Sequence, residues 1–162
     1  MNRIYLDNAA TTPMDKAVVS LMTEMMENQF GNPSSIHADG RGVRTKVEEA
    51  RKTVAKLLNT SPSEIFFTSG GTEADNMAIR CTINDLGIKH AITTRIEHHA
   101  VVHTLEELAQ EGLIKLSFVQ LDEKGSVDML HLAKLLAENE RSLVSLMEAN
   151  NEIGNLIDLR AV

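Results

Sequence analysis

Apolar residues recur at helical spacing after Pro13: Val18, Leu21, Met22, Met25 and Met26 predict one amphipathic helix that runs to about Asn28, opened by a proline where a helix can begin. Ile4 to Leu6, just before it, reads as a short strand. Gly31-Asn32-Pro33-Ser34-Ser35 is a loop by composition. A second helix follows from about Gly40 to Leu58, with Val43, Val47, Ala50, Val54 and Leu57 on one face and most of its Arg and Lys on the other. From Ile65 the pattern changes to short β-forming runs alternating with helical stretches. Strands are predicted at Ile65–Thr68, His90–Thr94, Lys115–Val119 and Leu143–Met147, and helices ending near Asn84 and Gln110 and spanning about Met129 to Ala137. Such alternation predicts an α/β architecture, a mainly parallel sheet covered by helices. No internal repeat, low-complexity tract or interdomain linker interrupts it.

One strand-to-helix junction carries a chemical signal. Phe66-Phe67-Thr68-Ser69-Gly70-Gly71-Thr72 passes from an apolar strand through two glycines into a helix. The first N–H groups of a helix lack partners and sit at the positive end of its dipole, and glycines let an anion approach the backbone. Any tight connection of this kind can look similar, so the junction alone leaves an ordinary turn open. The chain contains neither the Gly-x-x-x-x-Gly-Lys-Ser/Thr of a nucleoside triphosphate loop nor the Gly-x-Gly-x-x-Gly of a dinucleotide site. A smaller phosphorylated ligand or cofactor fits better.

Composition sharpens this by exclusion. The 162 residues carry a net charge of −7, which argues against a nucleic-acid footprint. No apolar run reaches the ~20 residues of a membrane span, and no signal-peptide core follows Met1. The single cysteine, Cys81, cannot form an internal disulfide, which agrees with a reducing, cytoplasmic setting. Aromatic residues make up only 3%, so the core must rest on aliphatic side chains and eight methionines.

Several further segments join the glycine junction in a pattern that resembles a known family. They are Ile4-Tyr5-Leu6-Asp7-Asn8-Ala9-Ala10-Thr11-Thr12-Pro13, Gly31-Asn32-Pro33-Ser34-Ser35-Ile36-His37, Thr68 to Asn76, Glu97-His98-His99-Ala100-Val101 and Asn150-Asn151-Glu152-Ile153-Gly154. In this order they resemble the cysteine desulfurases, fold-type I enzymes of the class V aminotransferase group that use pyridoxal 5'-phosphate. The resemblance implies the N-terminal part of the large domain of such a transferase. Residues 1–60 would form an N-terminal strand and helices, and residues 61–162 the first β/α units of the cofactor-binding domain. It also implies that Ile65–Thr68 pairs with strands encoded after Val162, while the other three strands form a separate ladder. Asp158 would cap a helix of which only four further residues are present, so the chain is expected to be incomplete and not independently stable.

The same resemblance assigns roles. Gly71 and Thr72 would anchor the cofactor phosphate. His98, after the strand His90–Thr94, would stack on the pyridine ring and shuttle a proton, as the catalytic residue present here. Histidine suits both tasks, with a flat ring and nitrogens that exchange protons near neutrality. Asn151 would donate to the cofactor's phenolic oxygen, chosen over Asn150 because it directly precedes Glu152-Ile153-Gly154. Asn8, Ala9 and Thr11 would pass near the active site, although a turn of small residues explains them almost as well. The substrate would be L-cysteine, the products L-alanine and sulfur passed to acceptor proteins for iron–sulfur clusters or thiolated cofactors, and the parent a homodimer. The Schiff-base lysine and the sulfur-accepting cysteine would both lie downstream, leaving the chain inactive by itself.

Other readings compete at particular residues. His99 and His103 share a helix face with Glu106 and Glu107 one turn on, acceptable metal-ligand chemistry, yet no His-Glu-x-x-His motif is present, and solvated histidines with no metal are the expectation. Cys81 is expected to be a half-buried thiol without a catalytic part. A selenocysteine lyase or aminotransferase of the same class, or a non-catalytic binding or oligomerisation module, remains the alternative to a desulfurase.

Overall fold

The structure, a computed structural model, describes residues 4–139 and 141–162. The chain divides into two compact units, one through Phe67 and one from Thr68 onward.

In the first unit, α1 (Lys16–Asn28) begins at the cap Asp15, whose carboxylate accepts from the Ala17 N–H at 2.8 Å. Its start thus lies after the predicted proline, at the first residue that offers a side-chain acceptor. α2 (Ala38–Leu57) starts where the His37 ring accepts from the Gly40 N–H. Residues 31–35 fold back over this start. A Cβ on Gly40 would stand 2.5 Å from the Asn32 carbonyl oxygen, so only glycine permits the approach. The predicted apolar face of α2 is only partly covered: Val43, Val47 and Val54 are half-buried, while Ala50 and Leu57 are exposed and Ala55 is buried. A 3-10 turn, Pro62–Glu64, closes the unit with a reciprocal capping box between Ser61 and Glu64. The Arg51 guanidinium donates to the Ile65 carbonyl and lies 4.9 Å over the Phe67 ring.

Two predicted strands do not form. Ile4–Leu6 and Ile65–Thr68 belong to no ladder among the described residues, and Phe66 and Phe67 are exposed. A strand needs a neighbour to receive its N–H and C=O groups, and neither segment has one here.

The second unit contains α3 (Gly71–Leu86), β1 (His90–Thr93), α4 (His99–Gln110), β2 (Lys115–Phe118), α5 (Met129–Ala137) and β3 (Ser142–Val144). The strands are parallel, in the order β2-β1-β3, with His90 level with both Lys115 and Ser142. This three-stranded ladder omits residues 65–68, as the resemblance implies. Central β1 is buried throughout. Its successive side chains point to opposite faces. Ala91 packs with Ile79 and Ile83 of α3 and Val101, Leu105 and Leu108 of α4, whereas Ile92 packs with Val119 and with Leu132 of α5. The crossovers through α4 and α5 run in opposite directions across the sheet, and right-handed connections then put those helices on opposite faces. The result is an α/β sheet with helices on both sides. β3 is shorter than the predicted Leu143–Met147 because its backbone pairing with β1 stops after Val144.

His90 is a buried polar residue at the start of the central strand, and its ring is satisfied on both sides, Nδ1 by Ser142 Oγ at 2.7 Å and Nε2 by Ser117 Oγ at 2.9 Å. Burial, with help from the nearby Lys115 charge, pushes its pKa below the ordinary histidine value. Cys81 is exposed, contrary to the half-buried thiol expected: it lies two residues from both Ile79 and Ile83, on the other side of α3 from the face those residues bury.

Candidate functional site

In a parallel sheet of order 2-1-3, ligands bind in the crevice where the chains leaving the first and third strands part in opposite directions. Here that crevice lies beyond Thr93 and Val144, at the carboxyl ends of β1 and β3. Each predicted unit-two site residue can be located with respect to it.

β1 runs out through Thr94, Arg95, Ile96 and Glu97 to His98, which caps α4. The His98 Nδ1 accepts from the Ala100 N–H at 3.1 Å. Because a backbone N–H can only donate, the neutral ring must carry its proton on Nε2, and that atom of the exposed residue has no hydrogen-bond partner among the described residues.

The chain leaving β3 turns at Asn150–Asn155. Asn150 is buried and structural: its Oδ1 accepts from Glu152 and Ile153 N–H, both at 2.9 Å, and its Nδ2 donates to the Ile96 carbonyl at 2.7 Å. Asn151 is exposed and has no hydrogen-bond partner among the described residues. The two adjacent asparagines therefore divide the work. One pins the turn to the β1 exit, and the other presents its amide outward. Gly125 abuts the same turn, where a Cβ would come within 2.7 Å of Ile153 Cδ1, and its φ of 80° is itself a glycine conformation.

The start of α3 completes the edge. Asn76 Oδ1 accepts from Thr104 Oγ1 at 2.9 Å, and Arg80 pairs with Glu107. The contacts advance together along both helices, so α3 and α4 run parallel and present their N-termini at the same end of the sheet. The N–H groups of Gly71, Thr72 and Glu73 donate to no partner among the described residues, the first helical bond being Ala74 N–H to the Gly70 carbonyl at 3.1 Å. A Cβ built on Gly70 or Gly71 meets nothing within 4 Å, so the side-chain side of both glycines is open space. Glu73 reaches back to the N–H and hydroxyl of Ser69, at 2.6 and 2.7 Å, and these bonds hold its carboxyl below the usual range. A bare N-terminus with a threonine hydroxyl, open space and no competing side-chain cap fits a phosphate group.

Two residues of this edge have roles that the sequence reading did not assign. Asn150 is one. Glu97 is the other: half-buried, it accepts from the Met147 N–H and, at 3.5 Å, from Thr94 Oγ1. Burial pushes its pKa upward, the Met147 and Thr94 bonds pull the other way, and Asp75 in α3 adds repulsion. No spacing rule reveals either role, since the partners lie about fifty residues away in sequence.

Other candidates fall outside the edge. Glu107 is engaged by Arg80, and the His99 and His103 rings lie 5.0 Å apart; among the described residues no group of three or more potential ligands is placed to hold a metal. In the first unit, residues 7–11 form a turn through Ala10 and Thr11 N–H to the Asp7 carbonyl, with Asn8 Nδ2 donating to the Tyr5 carbonyl. No helix among the described residues is long and apolar enough to cross a membrane.

Comparison with known proteins places the chain as a whole. A putative cysteine desulfurase of Bacillus subtilis is 46% identical over 159 residues, 96% of this chain and 41% of that protein. A cysteine desulfurase of Dictyoglomus turgidum is also 46% identical, over 94% of this chain and 39% of its own length. The chain thus spans about two fifths of the length of the curated relatives it matches. Among solved structures, a NifS-like protein superposes with a TM-score of 0.88 at 40% identity, covering 96% of this chain and 43% of that one. A protein designated SspA, solved in complex with cysteine, superposes with a TM-score of 0.86 at 28% identity over 97% of this chain and 45% of that one. The aminotransferase class-V family matches residues 4–162, and the chain belongs to that family.

Proposed function

We propose that this chain is the N-terminal portion of a pyridoxal 5'-phosphate-dependent cysteine desulfurase, and that Gly71, Thr72, His98 and Asn151 are its contribution to the cofactor site. The observation that carries the reading is the convergence at one sheet edge of an uncapped helix N-terminus, an exposed histidine with its Nε2 unpartnered among the described residues and an outward-facing amide. The relatives named as cysteine desulfurases support the substrate class, as does the structural relative solved with cysteine.

Each residue has a chemical task. The N–H groups of Gly71 and Thr72 and the Thr72 hydroxyl would hold the phosphate. The His98 ring would stack on the pyridine face, with Nε2 available to give or take a proton near the substrate. The Asn151 amide would donate to the phenolic oxygen and favour its anionic form. When bound, the cofactor supplies the electron sink that labilises bonds at the substrate's α-carbon. The overall reaction converts L-cysteine to L-alanine: the C–S bond breaks, the carbon gains a proton, and a protein thiolate receives the sulfur as a persulfide. A cytoplasmic homodimer serving sulfur-acceptor proteins completes the proposal. Cys81, exposed on the side of α3 away from the face that Ile79 and Ile83 bury, has no part in this scheme.

The complete protein that carries this chain, supplied with pyridoxal 5'-phosphate, L-cysteine and an excess of a reducing thiol to take the sulfur off the protein, should release L-alanine and sulfide in equal amounts. Alanine without sulfur, or no turnover by a protein that has taken up the cofactor, would overturn the desulfurase reading. Transamination products instead would favour an aminotransferase of the same class.

A further inference from the structure

The backbone ladder between β1 and β3 ends early, with Ser145 N–H donating to the Ile92 carbonyl at 3.0 Å as its last bond. Past that point side chains hold the two exits together. Thr93 Oγ1 donates to the Ser145 carbonyl at 2.9 Å, the Met147 N–H donates to Glu97 Oε1, and Asn150 Nδ2 donates to the Ile96 carbonyl at 2.7 Å. Threonine and asparagine are ordinary choices for such staples. A half-buried carboxylate is not, because removing its charge from water costs free energy that a neutral acceptor would avoid. Both donors that reach it bond the same oxygen, Oε1.

We infer that Glu97 is a positioning residue: its Oε1 ties the loop carrying His98 to the turn carrying Asn151, and so sets the spacing between the ring that stacks on the cofactor and the amide that reaches its phenolic oxygen. This rests on the cofactor reading above. Glu97 adjoins His98 in the chain, and Met147 precedes the Asn150 staple by three residues, so a shift of the acceptor moves both partners. The role depends on where the oxygen stands and not on its charge. The upward push on the Glu97 carboxyl agrees, since burial favours its neutral form.

Two variants of the complete protein separate these features. Glu97→Gln keeps an acceptor oxygen at the same reach and removes the charge. Glu97→Asp keeps the charge and withdraws the oxygen by roughly 1.5 Å, one C–C bond. Amide exchange over residues 145–151 of the cofactor-free protein reads the clamp directly. The absorption maximum and dissociation constant of added pyridoxal 5'-phosphate read its consequence. Glu97→Asp should exchange the Met147 amide about tenfold faster, shift the absorption band and weaken cofactor binding about tenfold, the scale of one lost hydrogen bond. Glu97→Gln should match the parent in all three. Unchanged exchange in Glu97→Asp, or Gln behaving like Asp, overturns the inference. Faster exchange with an unmoved band and affinity overturns the positioning role and leaves a structural staple. A parent protein that takes up no pyridoxal 5'-phosphate at all sinks the functional reading instead, while the exchange data still judge the clamp.

Discussion

The two units bury their apolar residues to very different degrees. In the second, β1 and the inner faces of α3, α4 and α5 enclose two clusters, and Ile92 and Leu105 are fully buried. In the first, α1 buries none of its residues, and α2 buries only Gly40 and Ala55. Yet the sequence of α1 is as clearly amphipathic as that of α4. Amphipathicity states that a helix has a face to cover; the surroundings decide whether it is covered. The first unit is instead ordered by local devices: caps at Asp15, His37 and Ser61, and the close packing of residues 31–35 on α2.

This contrast can be broken by substitution. Leu105→Ala removes a side chain with no exposed surface from the helix–sheet interface, and should cost about 2–5 kcal/mol in urea unfolding of the complete protein. A loss under about 1 kcal/mol would mean that the second unit lacks the close packing described. Gly40→Ala tests a tight contact of the first unit, where the added methyl meets backbone atoms of residues 32 and 35. A destabilisation of about 1–3 kcal/mol is expected from overpacking, and proteolysis within residues 31–36 should quicken with it. Leu21→Ala, at a position 58% exposed, should stay within about 0.5 kcal/mol. A larger effect would show that α1 is covered by something in the complete protein.

The smallest expected effect is in the pH dependence of the second unit. His90 has a depressed pKa, so the unfolded chain binds a proton at a pH where the folded one does not. Stability should therefore fall as pH drops through and below the usual histidine range, and His90→Asn should flatten that fall. Glu97 works in the opposite sense. Its pKa is raised, so between the usual carboxylate value and the raised one the folded state holds the extra proton, and stability declines as pH rises through that window. Unfolding curves of Glu97→Gln should lack this decline. If instead the parent gains stability relative to Glu97→Gln over that interval, the burial of the carboxyl has been misread.

Much of the second unit was legible in the sequence, because each helix there combines a period with a stop signal. The helix predicted over Met129–Ala137 is α5 to the residue, opened by the Asp128 cap, and the segment after His98 becomes α4. The glycine junction at the start of α3 was legible as a local motif. Strand character was less so: Phe66-Phe67 has strong β-forming residues but no neighbour to pair with, and β3 ends at Val144 despite a run of apolar residues after it. The candidate site was readable where a local motif singles a residue out, as at Gly71, Thr72 and His98. Glu97 and the Asn150 staple escaped because their partners, Met147 and Ile96, are joined to them by folding and not by spacing.

By itself, the sequence determined which segments become helices and which residues are candidates for chemistry, since caps, hydrophobic period and motif are properties of a few adjacent residues. Only the tertiary structure decided which apolar faces are covered, where the ladder between β1 and β3 gives way to side chains, and which of two neighbouring asparagines faces outward. Those outcomes depend on hydrogen-bond and packing partners about fifty residues apart, whose meeting no local pattern encodes.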